Sequence, residues 1–522
     1  MTASVGEKSP SAWASVTPML LFSCFCLLVG DVLFGYDTAS FGGILANPGF
    51  LRQFATHNPK TDTYAFEPVY VSLLSSLAFI GKFVGCLIAG PSIERFGHRA
   101  VFVALSIISI TGVIIEITAA DDGEALGATH SLSLVESLST SPLALLKSTS
   151  PLRGFVVISL QLFLNLGSII AVGLNKAFST YTSGLGWKII TAIQFVFPVF
   201  IIIFSFLIPH SPRWLLSKDR EEEALAALKR LRPKADAEDG TCEAEIQKIR
   251  AALQEQVHKG PWIDLFRGTN LRRTMLVIVF YFYQQTTGQA FVSTYQTVFY
   301  KENGYADQAF TYPVILYCLN TLVVIPAMYL IEYMGRRNLL LASFSLQAFW
   351  MMILAGIGSK AQKTAPENNL VVASLMLFSL SYNGGGAAIP YLLGTELPNA
   401  ALREKTQSLG AAWNVIWAFV TNYVIPYMIV NLKFGTGWVF GGISISALVF
   451  TFFFLPETKG LALEDIDKIF ETRFNPFRRE RSALADPEHR VKELTGRPIL
   501  TIRERLTRTS RTTNPLQAIS SA

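Results

Sequence analysis

Glu94-Arg95-Phe96-Gly97-His98-Arg99 returns later in the chain as Glu332-Tyr333-Met334-Gly335-Arg336-Arg337, and this repeat decides how everything around it is read. Two more pairs stand in register with it. Pro151-Leu152-Arg153 has a looser echo in Pro398 to Arg403, and Pro209-His210-Ser211-Pro212-Arg213 is echoed by Pro456-Glu457-Thr458-Lys459-Gly460. All three pairs lie roughly 240–250 residues apart. One repeated Gly-Arg loop can arise by chance, but three in register describe two similar halves. Paired helical halves around a shared interface are a recurrent membrane architecture.

Composition points the same way. The chain is 51% hydrophobic and 16% charged, with mean hydropathy +0.38, whereas soluble domains carry about 25% charge. Much of its surface therefore faces something other than water. A spanning helix needs about 20 mostly apolar residues. Eleven stretches qualify, near 17–40, 69–90, 100–119, 154–175, 187–208, 274–300, 311–331, 338–358, 370–393, 408–430 and 435–455. The expected class is an all-α membrane protein of two six-helix bundles. Its divisions are a cytoplasmic tail over 1–16, an N-terminal half over 17–208, a charged cytoplasmic loop over 209–273, a C-terminal half over 274–455 and a cytoplasmic tail over 456–522. Within the loop, Leu225, Leu228 and Leu231, then Ile246, Ile249 and Leu253, recur at helical spacing, so short amphipathic helices are expected there. The basic residues cluster between spans, so the net charge of +6 reads as positive-inside bias and not as a nucleic-acid surface. No cleavable signal peptide is expected, because the first apolar run is too long for one. The five cysteines (Cys24, Cys26, Cys86, Cys242, Cys318) lack metal-ligand spacing and read as small buried residues. Neither a nucleophile–base set nor a metal cluster is evident, so no enzyme, metal or cofactor is expected.

The repeat also exposes a gap. Six helices per half require another span between Thr118 and Arg153, and the two Gly-Arg loops share one side only if the chain crosses there. The segment 119–150 is instead polar: Ala119-Ala120-Asp121-Asp122-Gly123-Glu124 precedes a Ser/Thr-rich run with His130, Glu136, Pro142 and Lys147. A shifted reading frame or retained intron accounts for such an insert. The alternative is a poor fourth helix over 125–146, in which Glu136 would need a partner or a proton.

Phe34-Gly35-Tyr36-Asp37, the two Gly-Arg loops, Pro209-x-Ser211-Pro212-Arg213-Trp214, Gln284-Gln285-x-x-Gly288 and Pro456-Glu457-Thr458-Lys459-Gly460-Leu461 together resemble the sugar porter family of the major facilitator superfamily, fungal hexose or disaccharide:proton symporters most closely. The resemblance covers residues 17 to about 470, apart from 119–150. It implies a monomeric multi-pass carrier in the plasma membrane, both termini cytoplasmic, whose partners are a sugar, protons and lipid. Glu94, Arg95 and Arg99, with Glu332, Arg336 and Arg337, read as charge pairs that lock the halves together and separate during transport; the bland reading is anchoring by the arginines alone. By resemblance Arg153, Glu396 and Arg403 join this network, and His210 stands where the family has Glu.

Sugars suit uncharged amides beside aromatic faces, since an amide both donates and accepts. Gln161, Asn165, Gln284, Gln285, Gln289, Asn383 and Asn414 lie within the spans, where a lone amide commonly serves as an interhelical hydrogen bond. Resemblance carries sugar binding onto Gln161, Gln284, Gln285 and Asn414, with Tyr391 as an aromatic wall. Ala290 and Val415 depart from the family pattern, and Gln289 and Trp413 stand beside them as compensation, which leaves the identity of the sugar open. A carboxylate inside a membrane is costly and commonly functional. By resemblance Asp37 is the proton-coupling group, and a structural role is the alternative. Asp31 and Lys82 also lie in spans and are candidates for a structural pair. No opposite charge for Asp37 is evident, because the family's arginine at the start of span four has no counterpart. Rival readings are a sugar facilitator, a non-transporting sugar sensor, and a non-functional product of a faulty gene model. Polyol and quinate carriers share the motifs.

Overall fold

The computed structural model describes residues 17–59, 63–118, 153–233, 239–255, 260–399, 401–459 and 470. The chain opens with α1 (Pro18–Leu45), whose first turn is capped by Thr17 Oγ1 accepting from Leu20 N at 3.2 Å. A short α2 (Pro48–Phe54) and a two-stranded hairpin, β1 (Thr56–Asn58) antiparallel to β2 (Thr63–Ala65), follow. Then comes α3 (Pro68–Thr118), which is two spans joined at Gly97, where φ is +79°. The N-terminal half continues with α4 (Arg153–Ala177), α5 (Leu185–Ile193) and α6 (Val196–Ser205).

The C-terminal half holds a span broken into α10 (Gly268–Thr286), α11 (Gln289–Ser293) and α12 (Gln296–Glu302). Next are α13 (Thr311–Met334) and α14 (Arg336–Gly358), joined at Gly335 with φ +88°. α15 (Ala365–Ser381) runs through a π-helical turn (Tyr382–Gly386) into α16 (Ile389–Glu396). Finally α17 (Arg403–Leu432) and α18 (Thr436–Phe454) close the bundle. Each of the eleven apolar stretches thus falls on helix or interrupted helix. Among the described residues, nine helical stretches are long and apolar enough to cross a membrane. The interrupted segment from Gly268 to Glu302 is not one of them, and α17 with α18 counts as a single stretch.

Between the halves lies the loop expected from helix-period leucines. It folds as α7 (Pro212–Ser217), α8 (Glu221–Leu231) and α9 (Thr241–Glu255). Their apolar faces meet in a small core of Leu215, Leu216, Leu228, Cys242 and Ile246, with Ile249 and Leu253 against it. Arg232 clasps Glu245 at 2.7 Å across the bundle. Thr17 Oγ1 donates to Leu231 O at 2.7 Å, tying this bundle to the start of α1. Of the five cysteines, Cys26 and Cys242 are buried as expected; Cys318 is not, because it stands on an exposed face of α13.

Contacts between the halves follow the repeat. α3 packs along α17, and α13 along α4. α3 and α13, which follow the first span of their halves, thus each lie against a later helix of the other half. α1 and α4 run side by side in the same direction, with Ser168 Oγ donating to Gly35 O at 2.9 Å. Consequently α3 ends on the face opposite the Gly-Arg loops, whereas α4 begins on the Gly-Arg face. Segment 119–152, with the polar insert and the proposed helix over 125–146, lies outside the described residues.

Candidate functional site

A polar layer crosses the bundle where α10, α16 and α17 meet α4. Gln284 is 2% exposed and donates through Nε2 to Ala387 O at 2.7 Å. Asn414 Nδ2 donates to Gln284 Oε1 at 2.8 Å and to Tyr281 O at 3.2 Å, while its Oδ1 accepts from Gln285 Nε2 at 3.0 Å. From the other half, Gln161 Nε2 reaches Asn383 Oδ1 at 3.0 Å. That bond joins the two halves at the layer. Asn383 sits in the π-helical turn, a local break that turns a side chain inward. Tyr391 packs edge-on against Tyr281, ring centroids 5.4 Å apart.

Aromatic side chains finish the layer. Trp417 lies 4.6 Å from Phe282 and 6.1 Å from Trp413, ring to ring. Among the described residues, the indole Nε1 of both tryptophans and Oε1 of Gln289 are buried without a hydrogen-bond partner. Buried polar atoms are normally satisfied, so two donors and one acceptor left open suit a ligand carrying hydroxyls. Asn383 and Trp417 were not assigned to binding from the sequence. Asn383 reads in sequence as one of several membrane amides, and Trp417 stands in no motif. Gln289 falls past the break at Gly288, and no bond ties it to the Gln284–Asn414 group.

Asp37 occupies a second pocket, nearer the face opposite the Gly-Arg loops. Asn422 lines that pocket and Asn414 belongs to the amide layer; eight residues of α17 separate them, or about 12 Å. Gln194 Nε2 donates to Asp37 Oδ1 at 2.9 Å. Lys82 and Glu116 line the same pocket, and both act on the Asp37 charge. The absence of an opposite charge, expected from the sequence, is corrected here. Lys82 of α3 lines the same pocket as Asp37 of α1, a proximity that linear sequence does not display. Asp31, the suggested partner of Lys82, is 5% exposed; its Oδ2 has no hydrogen-bond partner among the described residues.

On the Gly-Arg face the charges form bonds inside each half. Arg336, 7% exposed, bonds Glu396 at 3.0 Å and Glu332 at 3.3 Å. Glu396 also accepts from Thr458 Oγ1 at 2.8 Å. Glu457 accepts from the backbone N–H of Arg336 and Arg337 at 3.0 and 3.3 Å, so it caps α14. Arg337 donates to Phe452 O, and Arg403 opens α17. In the N-terminal half, Arg99 turns to His210 Nε2 at 3.3 Å and to Ile208 O, not to Glu94, whose side chain is exposed. Arg95 lies over Phe96. The Arg153 side chain lies outside the described residues. For the bonds named here, each Gly-Arg turn is fastened within its own half. Both turns need Gly for their positive φ. A Cβ on Gly335 would also stand 2.4 Å from Glu457 Oε2, and one on Gly97 2.9 Å from the Trp214 ring.

The opposite face is closed by contacts between the halves. Tyr295 OH bonds Ser75 Oγ across the halves and Asn422 O within its own, Lys301 Nζ donates to Ala46 O, and Lys176 Nζ to Thr311 Oγ1. Gly42 lies so near Thr294 that a Cβ would stand 2.0 Å from its carbonyl oxygen.

Two helical halves packed in this swapped fashion define a major facilitator fold. The proton:xylose symporter of E. coli, a protein of that superfamily, shares it with a TM-score of 0.70 at 19% identity, over 86% of this chain and 99% of that one. A high-affinity fructose transporter of Schizosaccharomyces pombe is 28% identical over 85% of this chain and 86% of its own length. A hexose transporter of Saccharomyces cerevisiae is 26% identical over 91% and 85%. The chain belongs to the Sugar (and other) transporter family, whose pattern it matches over residues 23–470. It is a multi-pass membrane transporter.

Proposed function

We propose that the protein carries a hexose or disaccharide across the plasma membrane, bound between its halves and coupled to protons through Asp37. The observation that carries this reading is the amide layer. Gln161 of one half meets Asn383 of the other beside Gln284, Gln285 and Asn414, with the Trp413 and Trp417 indoles open to a ligand. Amides and indoles at one buried level match a solute that is uncharged, compact and rich in hydroxyls. The fructose and hexose transporters among its relatives favour a sugar of that size.

Transport on this reading proceeds by rocking of the two halves about the layer. Tyr295, Lys301 and Lys176 hold one face shut and release when the other closes. Arg336, Glu396 and Glu457 keep the Gly-Arg turn of their half rigid during that motion. The Gly-Arg loops, the helical loop bundle and both termini lie in the cytoplasm, and one chain suffices as the working unit. Asp37 takes a proton on one side and releases it on the other. Uptake of labelled hexoses and disaccharides by cells lacking their own transporters tests the proposal. Saturable uptake that a protonophore suppresses is expected. Uptake that survives the protonophore identifies a facilitator, and surface expression without uptake contradicts transport.

A further inference from the structure

The pocket around Asp37 holds more charge than one coupling acid requires. Asp37 enters from α1, while Lys82 and Glu116 enter from the two arms of α3 on either side of the Gly97 turn. Lys82 Nζ lies 4.7 Å from the Phe34 ring centroid and 4.6 Å from that of Phe79. These contacts hold the ammonium in the pocket by cation–π attraction, where a lysine on a lipid-facing surface would reach for the membrane boundary. Asp37 is within electrostatic reach of both Lys82 and Glu116. From the other packed elements come Gln194, Thr294 and Asn422, none of them charged, and Ser75 adds a hydroxyl from α3. Cys86, one turn from Lys82, is within reach of its charge. Tyr36 senses Asp37 and Glu116, and its hydroxyl donates to Ile190 O at 2.6 Å.

Charge counting then decides what the group does. Among the described residues, two carboxylates and one ammonium, all ionised, leave one uncompensated negative charge in a pocket walled by protein and hydrocarbon. An uncompensated buried charge is costly, and such a group takes up a proton instead. One proton on either carboxylate makes the group neutral, with the other carboxylate paired to Lys82. We propose that Asp37, Lys82 and Glu116 act as a single proton-binding unit, in which Lys82 is the standing counter-cation and one transported proton is shared by the two carboxylates. This rests on the reading of Asp37 as the coupling acid and adds two residues to it. No bond is made or broken except to the proton, which enters from one bulk phase and leaves to the other.

The unit makes predictions by charge that no structural role for Glu116 or Lys82 would make. Glu116→Gln leaves Asp37 and Lys82 as a neutral pair with no call for a proton, so sugar flux should no longer carry one. Adding Lys82→Met to that variant restores the single unpaired carboxylate and, with it, coupling. Lys82→Met alone leaves two unpaired carboxylates and should raise the stoichiometry to about two protons per sugar, whereas Lys82→Arg should keep about one.

The experiment reconstitutes full-length protein in liposomes and records sugar-driven proton movement with a trapped pH dye. Counterflow of labelled glucose, which moves no net proton, shows that each variant is inserted and binds sugar. The expected pattern is coupling lost in Glu116→Gln, regained in Glu116→Gln/Lys82→Met, and lost in Asp37→Asn. If Glu116→Gln stays coupled while Asp37→Asn does not, the three-residue unit is wrong and the Asp37 reading stands. If the wild type, or Asp37→Asn, shows that coupling does not depend on Asp37, both fall. Should Glu116→Gln fail to insert, the lysine variants decide: unchanged stoichiometry in Lys82→Met overturns the unit.

Discussion

At Trp417 the indole N–H is buried and has no partner within the described protein. Leaving a donor in that state costs about 1–3 kcal/mol, a cost relieved when a ligand oxygen accepts from it. Trp417→Phe keeps most of the ring and deletes only the donor. Loss of one hydrogen bond, about 0.5–1.5 kcal/mol, should raise the KM for sugar uptake about three- to tenfold at unchanged surface expression. An unchanged KM would mean that the N–H does not touch the substrate. Residues of this kind mark the limit of what sequence discloses. Gln284, Gln285 and Asn414 stand in recognisable patterns, and the structure brings them together. Asn383, Trp417, Lys82 and Glu116 enter their sites through tertiary packing of helices far apart in sequence. Glu116 does leave a trace, as the lone acid of Val113-Ile114-Ile115-Glu116-Ile117, but nothing there says which residue it faces.

Among the elements, the two Gly-Arg turns show how equivalent pieces can be fastened differently. In the C-terminal half Glu457 caps α14 through two backbone N–H groups, and a carboxylate suits the positive end of a helix. In the N-terminal half His210 takes the corresponding place and faces Arg99 at 3.3 Å. Burial, together with the charges of Arg99 and Arg220, holds the His210 imidazole below its usual range. Above the unfolded value of about 6.5 the ring is neutral in both states and adds no pH dependence. As pH falls below that value the unfolded chain takes up the proton first, so folded stability declines toward the depressed folded value. Unfolding temperatures in detergent, measured at about pH 7.5 and about pH 5.5, should therefore drop further on acidification in the wild type than in His210→Gln. Equal drops would contradict this account. Glycine, glutamate and arginine at these turns are all legible as a repeat. The fastening within each half is not, because the sequence alone does not reveal that Arg99 turns away from Glu94.

For the whole molecule, the pairing of α3 with α17 and of α4 with α13 makes the interface between halves the place where function resides. Its repeat was legible, since motif spacing alone predicted two bundles. Which face is shut was not, because Tyr295, Lys301 and Lys176 are unremarkable in a linear chain. Gly42 gives that closed face a simple probe. A side chain there meets the Thr294 carbonyl, so Gly42→Val should hold the face open. Labelling of a cysteine placed at Ile44 by a membrane-impermeant thiol reagent should rise, and uptake should fall about tenfold, a change of about 1.4 kcal/mol. Unchanged labelling would show that Gly42 does not approach Thr294 in the transport cycle.

The central claim is that a hydroxyl-rich solute passes between the halves by way of the Gln284–Gln285–Asn414 amides. Counterflow of labelled glucose, fructose and maltose into liposomes containing the purified wild type, set beside Asn414→Ala, tests this most directly. The account predicts saturable exchange of at least one of these sugars, reduced about tenfold or more in Asn414→Ala at equal protein content, the loss expected when Gln284 and Gln285 are left without their partner. Exchange of none of them, or exchange indifferent to Asn414, would contradict it.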